Sequence, residues 1–135
     1  MSLDDEPAGV REEAPTAFTA SLEEIVLGCP GALAAIFSDA EGEAVDYCSF
    51  LETWDTKIAA AQWSSIFASL RELLEKQGLG ELDSIHVRGS EMDFLIRAVG
   101  SGYYLTLLLV KGMGWGHALA QCETVAQALR RESRF

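Results

Sequence analysis

Residues 53–77, TWDTKIAAAQWSSIFASLRELLEKQ, decide how this chain folds. Ala59, Trp63, Ile66, Phe67, Leu70, Leu73 and Leu74 recur at helical spacing, so the stretch reads as one long helix with a continuous apolar stripe. Beside that stripe run Ala61, Ser64, Ser65 and Ala68, which carry almost no bulk. A solvated helix face usually carries Lys and Glu at such positions. Small residues instead let a second helix approach closely, while the large stripe packs on a sheet. Gly78 and Gly80 end the helix, and Thr53 or Asp55 caps its start.

Upstream, Ser21-Leu22-Glu23-Glu24 has the pattern of a capping box, opening a short helix through Ile25, Val26 and Leu27 that Gly28 and Pro30 stop. Ala32 to Ser38 is apolar throughout, as in a strand covered on both faces. Asp39-Ala40-Glu41-Gly42 has the preferences of a type I turn. A partner strand follows at Glu43 to Ser49, with Val45 and Tyr47 expected on one side and Asp46 and Cys48 on the other.

Downstream, Asp83 to Arg88, Met92 to Val99 and Tyr103 to Lys111 read as strands. Gly89-Ser90-Glu91 and Gly100-Ser101-Gly102 supply tight turns, which makes an antiparallel meander. Leu105, Leu107 and Leu109 fill one face of the last strand, with Leu108 and Val110 on the other. A final helix, about His117 to Glu132, buries Leu119, Cys122, Val125, Ala126 and Leu129, and its last turn carries Arg130 and Arg131. The order is α-β-β-α-β-β-β-α. The fold class is α+β, a five-stranded antiparallel sheet with helices on both faces, and Asp83–Arg88 is an outer strand whose unblocked edge asks for a partner.

A chain of 135 residues makes one domain, expected over residues 18–135 behind a disordered acidic arm at residues 1–17. No apolar run approaches a membrane span, and the arm lacks the basic then apolar order of a signal peptide. The net charge of −11 is uneven, with −4 in the arm from Asp4, Asp5, Glu6, Glu12 and Glu13 against Arg11. An acidic surface repels phosphate backbones, which argues against nucleic acid. Cys29, Cys48 and Cys122 are too few and too widely spaced for a disulfide framework or a zinc site, and they fit a reducing cytoplasm.

A search for catalytic chemistry returns little. His86 alternates with Ile85 and Val87 on the outer strand, facing away from the core, and His117 opens the last helix, where the dipole disfavours a protonated ring. Gly112-Met113-Gly114-Trp115-Gly116 joins a strand to a helix, but His117 stands where a dinucleotide fingerprint needs its third glycine, and the Gly-Lys-Ser/Thr ending of a P-loop is missing. No nucleophile is paired with a base, so the expectation is no enzyme, no cofactor and no metal.

These features together resemble the roadblock, or dynein-light-chain, family, and within it the bacterial mutual gliding protein B branch. The resemblance spans about Ser21 to Glu132. It is carried by Leu22-Glu23-Glu24-Ile25, the Asp39–Gly42 turn, the run from Ile85 through Leu109, and Gly116 before the last helix. It implies a profilin-like fold and homodimers or heterodimers joined through the third strand, with the long helices side by side. It also implies docking of small Ras-like GTPases, or scaffolding, and in the gliding branch stimulation of GTP hydrolysis without an inserted arginine finger. The chain departs from relatives in ending at Phe135 without an extended tail, and in bulky Met113 and Trp115.

The resulting expectation is a non-catalytic, cytoplasmic homodimeric regulator or scaffold for a small Ras-like GTPase. Ala61, Ser64, Ser65, Ala68, Ile85, His86 and Val87 would form the dimer interface. Lys57, Ala60, Ser64, Arg71 and Glu75 would touch the GTPase. The alternative is a profilin-like small-molecule sensor, with a pocket lined by Trp54 or Trp63, or a plain protein-interaction scaffold.

Overall fold

The computed structural model describes residues 16–100, 102–112 and 115–132. The elements in chain order are α1 (Thr19–Gly28), β1 (Ala32–Asp39), β2 (Ala44–Ser49), α2 (Thr53–Lys76), β3 (Ser84–Arg88), β4 (Met92–Val99), β5 (Tyr103–Val110) and α3 (Trp115–Glu132). The five strands form one antiparallel sheet in the order β2-β1-β5-β4-β3, so β3 is an edge as expected. β5, apolar on both sides, lies in the centre between β1 and β4. α1 and α3 cover one face through Leu22, Ile25, Cys122, Val125 and Leu129 on Phe37, Leu95, Leu105 and Leu107. α2 alone covers the other.

The expected turn holds: the Gly42 amide donates to the Asp39 carbonyl at 3.0 Å, and the Asp39 carboxylate accepts from the amides of Glu41 and Glu43. β2 departs from simple alternation. Phe37 pairs with Asp46 but Ser38 pairs with Ala44, which leaves Val45 as the extra residue of a bulge. Val45 therefore packs with the α1/α3 core, and of the two residues expected on one side Tyr47 alone turns toward α2.

α1 begins two residues before the expected capping box, and Ser21 lies inside it. Its start is tied down from outside: the hydroxyls of Thr16 and Thr19 both donate to Oδ2 of buried Asp46 on β2, at 2.7 and 2.5 Å. Thr16 thus belongs to the folded domain, and residues 1–15 of the expected arm lie outside the described residues. In α3, Ala118 rather than Leu119 points into the core. The residue preceding α2 is Glu52, whose side chain makes no cap, and Thr53 is already the first residue of the helix. The Thr56 hydroxyl instead lies 2.9 Å from both the Glu52 carbonyl and Ser49 Oγ, pinning the first turn to β2.

All three cysteines are buried and none is in a disulfide. Burial pushes the Cys122 thiol up to about 12 and raises that of Cys29. Thiolate is the reactive form, so the native protein is expected to resist an aromatic disulfide reagent in mildly alkaline buffer, and all three thiols should titrate in denaturant. Rapid labelling of the native fold would contradict the packing.

Candidate functional site

α2 sits rotated from the orientation its apolar stripe suggests. The residues buried beneath it are Thr56, Ala60, Ser64 and Phe67. The cause lies in the sheet, whose α2 face already carries bulk in Ile36, Tyr47 and Tyr104. A helix can settle on such a surface only through small side chains. Ala60 fills this role, and Ser64 adds a buried 2.9 Å hydrogen bond with Ser38 on β1. Phe67 then packs on Tyr104, ring centroids 5.0 Å apart.

The two flanks of α2 follow from that rotation. On the hairpin side the backbone of Gly42 comes so close that an added Cβ would stand 3.0 Å from the Ala61 Cα. Gly42 also has a φ of +86°, so glycine is required there twice over. Ala61, Ser65 and Ala68 are exposed beyond it. On the opposite flank Trp63 packs on Phe94 of β4, centroids 4.4 Å apart. Past Trp63 the large stripe leaves the sheet and enters solvent, with Ile66 42%, Leu70 38% and Leu73 48% exposed.

This apolar ridge runs along the same side as β3. Ile85 packs with Trp63 and Leu82 against the Phe67 cluster, while His86 is exposed, its Nε2 3.3 Å from Ser84 Oγ. The Ala98 amide donates to the Asp83 carbonyl and the Gly89 amide to the Met92 carbonyl. Antiparallel alternation then points the backbone groups of Ile85 and Val87 into the sheet and those of Ser84, His86 and Arg88 outward. Among the described residues no further strand pairs with this edge, and an edge beside an exposed apolar helix ridge has the composition of a protein-docking surface.

Two expected contact residues are corrected by burial. Ala60 is 0% and Ser64 2% exposed, so neither reaches an outside partner, and Ser64 leaves the expected dimer surface as well. Lys57 and Glu75 are exposed, and Arg71 is half-buried, its guanidinium carbon 5.2 Å from the Phe67 ring centroid and 5.6 Å from that of Tyr104. Ile66, Leu70 and Leu73 were assigned to the sheet by the sequence. Their signal as a surface was the excess width of the stripe, more than one sheet face can cover.

The expected sensor pocket does not form at the tryptophans. Trp54 is 72% exposed, and Trp63 lines an open, solvent-facing hollow of about 630 Å³ with Ala61, Gln62, Ser65, Ile66 and Phe94, which brings no charged group together. Met113 lies outside the described residues, and Trp115 is placed only as the first residue of α3. His117 Nε2 lies 3.3 Å from the Gly28 carbonyl, joining α3 to the end of α1. Among the described residues no group of three His, Cys, Asp or Glu side chains could hold a metal ion, and no helix is long and apolar enough to cross a membrane.

Near the β3 edge, Arg97 of β4 donates to both carboxylate oxygens of Glu123 on α3, at 2.7 and 2.8 Å. That bond holds the Glu123 carboxyl below its ordinary value of 4.5. The stabilisation is therefore complete above the unfolded carboxyl's titration and is lost as pH falls through the lower folded value. Half of the Glu123 side chain is in water. Glu123→Gln should therefore cost less than about 1 kcal/mol near neutrality and nothing in strong acid, as read by urea denaturation.

The fold that carries this surface is the roadblock fold. MglB of Myxococcus xanthus superposes with a TM-score of 0.79 at 17% identity, covering 88% of this chain and 96% of that one. A Roadblock/LC7 domain from Streptomyces avermitilis gives 0.78 at 16% identity, covering 84% and 94%. An MglB in a tetrameric arrangement gives 0.77 at 22% identity, covering 94% and 96%. No family model and no curated protein matches the sequence.

Proposed function

We propose that this protein is a non-catalytic homodimeric regulator or scaffold that docks a small Ras-like GTPase in the cytoplasm. The observation that carries the proposal is the Ile66–Leu70–Leu73 ridge beside the open β3 edge. Two copies meeting there about a two-fold axis would pair β3 with β3 and bury both ridges, an isologous contact. In this proposal Ile85, His86 and Val87 lie at the interface, and the ridge takes the place of the small-residue stripe. The likeness to MglB structures and the three buried thiols support the reading without carrying it.

In this proposal Lys57, Glu75 and the exposed part of Arg71 touch the GTPase. Arg71 leans on two rings of its own chain, which suits a positioning contact better than a finger reaching into another active site. The tagged protein should retain a Ras-like GTPase loaded with a non-hydrolysable GTP analogue and release it with GDP. A supplied arginine finger is worth about a thousandfold or more in rate. If hydrolysis is stimulated, Arg71→Ala should leave the saturated rate within about tenfold. Collapse of that rate with binding intact would mean direct catalysis, and nucleotide-independent behaviour would leave only a plain scaffold.

A further inference from the structure

A cleft of about 570 Å³ opens where the C-terminal half of α2, the α2–β3 loop, the end of β4 and the last turn of α3 meet. Its walls carry Arg71, Arg97 and Arg130 together with Glu75, Glu81 and Asp83. Arg97 is already engaged by Glu123. Arg71 is different. Two aromatic faces fix its guanidinium from one side, yet among the described residues no carboxylate or carbonyl accepts a hydrogen bond from it. A half-buried guanidinium held in place with its donor fork unused is prepared for a planar anion such as a carboxylate.

The charges around it restrict which anion can enter. Glu75, Glu81 and Asp83 are exposed and line the same cleft, and with Arg97 held by Glu123 and Arg130 also engaged, an anion approaching Arg71 enters among three carboxylates. A ligand with no net charge, whose positive and negative ends are separated, satisfies both walls at once, and the repulsion excludes simple anions. We propose that this cleft binds a free α-amino acid, its carboxylate on Arg71 and its ammonium facing the rim carboxylates. Leu82 and Ala98 offer the apolar surface on which its side chain would lie, and the volume is within the range of small-ligand sites. Arg71 and Glu75 are also the residues proposed to touch the GTPase, so binding is measured on the isolated chain, where failure of either reading leaves the other standing.

The test is a thermal-shift screen of the purified protein against the standard L-amino acids at about 10 mM, followed by calorimetry on the strongest binder. The expected result is saturable binding at one site per chain, with the binder's methyl ester and N-acetyl derivative each at least about tenfold weaker. Arg71→Lys, which keeps the charge and loses the fork, should weaken binding about tenfold. The loop variant Glu81→Gln with Asp83→Asn should also weaken it, without touching the packed core. Inorganic phosphate should not bind. The proposal is overturned if no amino acid shifts the midpoint, if the methyl ester binds as tightly as its parent, if either variant leaves affinity unchanged, or if phosphate binds instead.

Discussion

Ile66→Asp together with Leu70→Asp is expected to turn the proposed dimer into a monomer while leaving the monomer folded. Within one chain both side chains are more than a third exposed, so carboxylates there stay solvated and should change stability by no more than about 0.5 kcal/mol each. At a two-fold interface the same substitutions bury four carboxylates without partners. Each would cost several kcal/mol, so dissociation should rise by about a thousandfold or more. Ala68→Arg is the control. It lies on the hairpin flank, away from β3, and should leave the dimer mass unchanged. Light scattering reads the mass and circular dichroism the fold. A persistent dimer in the aspartate variant, or a monomer from Ala68→Arg, would return the interface to the small-residue side.

Phe67→Ala should be the most damaging single change on α2. The helix buries only four residues, and Phe67 is the only large one among them. It fills the space between α2 and Tyr104 and supports Arg71. Removing it leaves a cavity that flanking Ala60 and Ser64 are too small to close, for a loss of about 3–5 kcal/mol in urea denaturation. Ser64→Ala should cost less, about 1–3 kcal/mol, by leaving the Ser38 hydroxyl buried without its partner. A Phe67→Ala loss below 1 kcal/mol would mean that something other than this contact holds α2 on the sheet.

What the sequence conveyed and what it hid have a common physical origin. Element order, the Asp39–Gly42 turn and the position of β3 at an edge were legible, because turn chemistry and apolar runs are local. The rotation of α2 was not, because it depends on how bulky the facing sheet is. Ser64 and Ala60 read as surface residues, yet they lie beneath the helix because Tyr47, Ile36 and Tyr104 occupy the space a large side chain would need. The bulge at Val45 and the Thr16–Asp46 bond were hidden for the same reason, each being set by residues distant in sequence. The arginine cleft draws on four separate segments, and no spacing rule connects them.

Pairing of the proposed β3 edge with a second copy can be read from amide hydrogen exchange at residue resolution. Ser84, His86 and Arg88 present their amides away from β4, whereas those of Ile85 and Val87 point into the sheet. With the edge paired, all five are expected to exchange slowly in the wild-type protein. In the Ile66→Asp/Leu70→Asp variant, Ser84, His86 and Arg88 should become fast while Ile85 and Val87 remain protected. Fast exchange at Ser84, His86 and Arg88 in the wild-type protein would show an open edge and rule out the paired dimer.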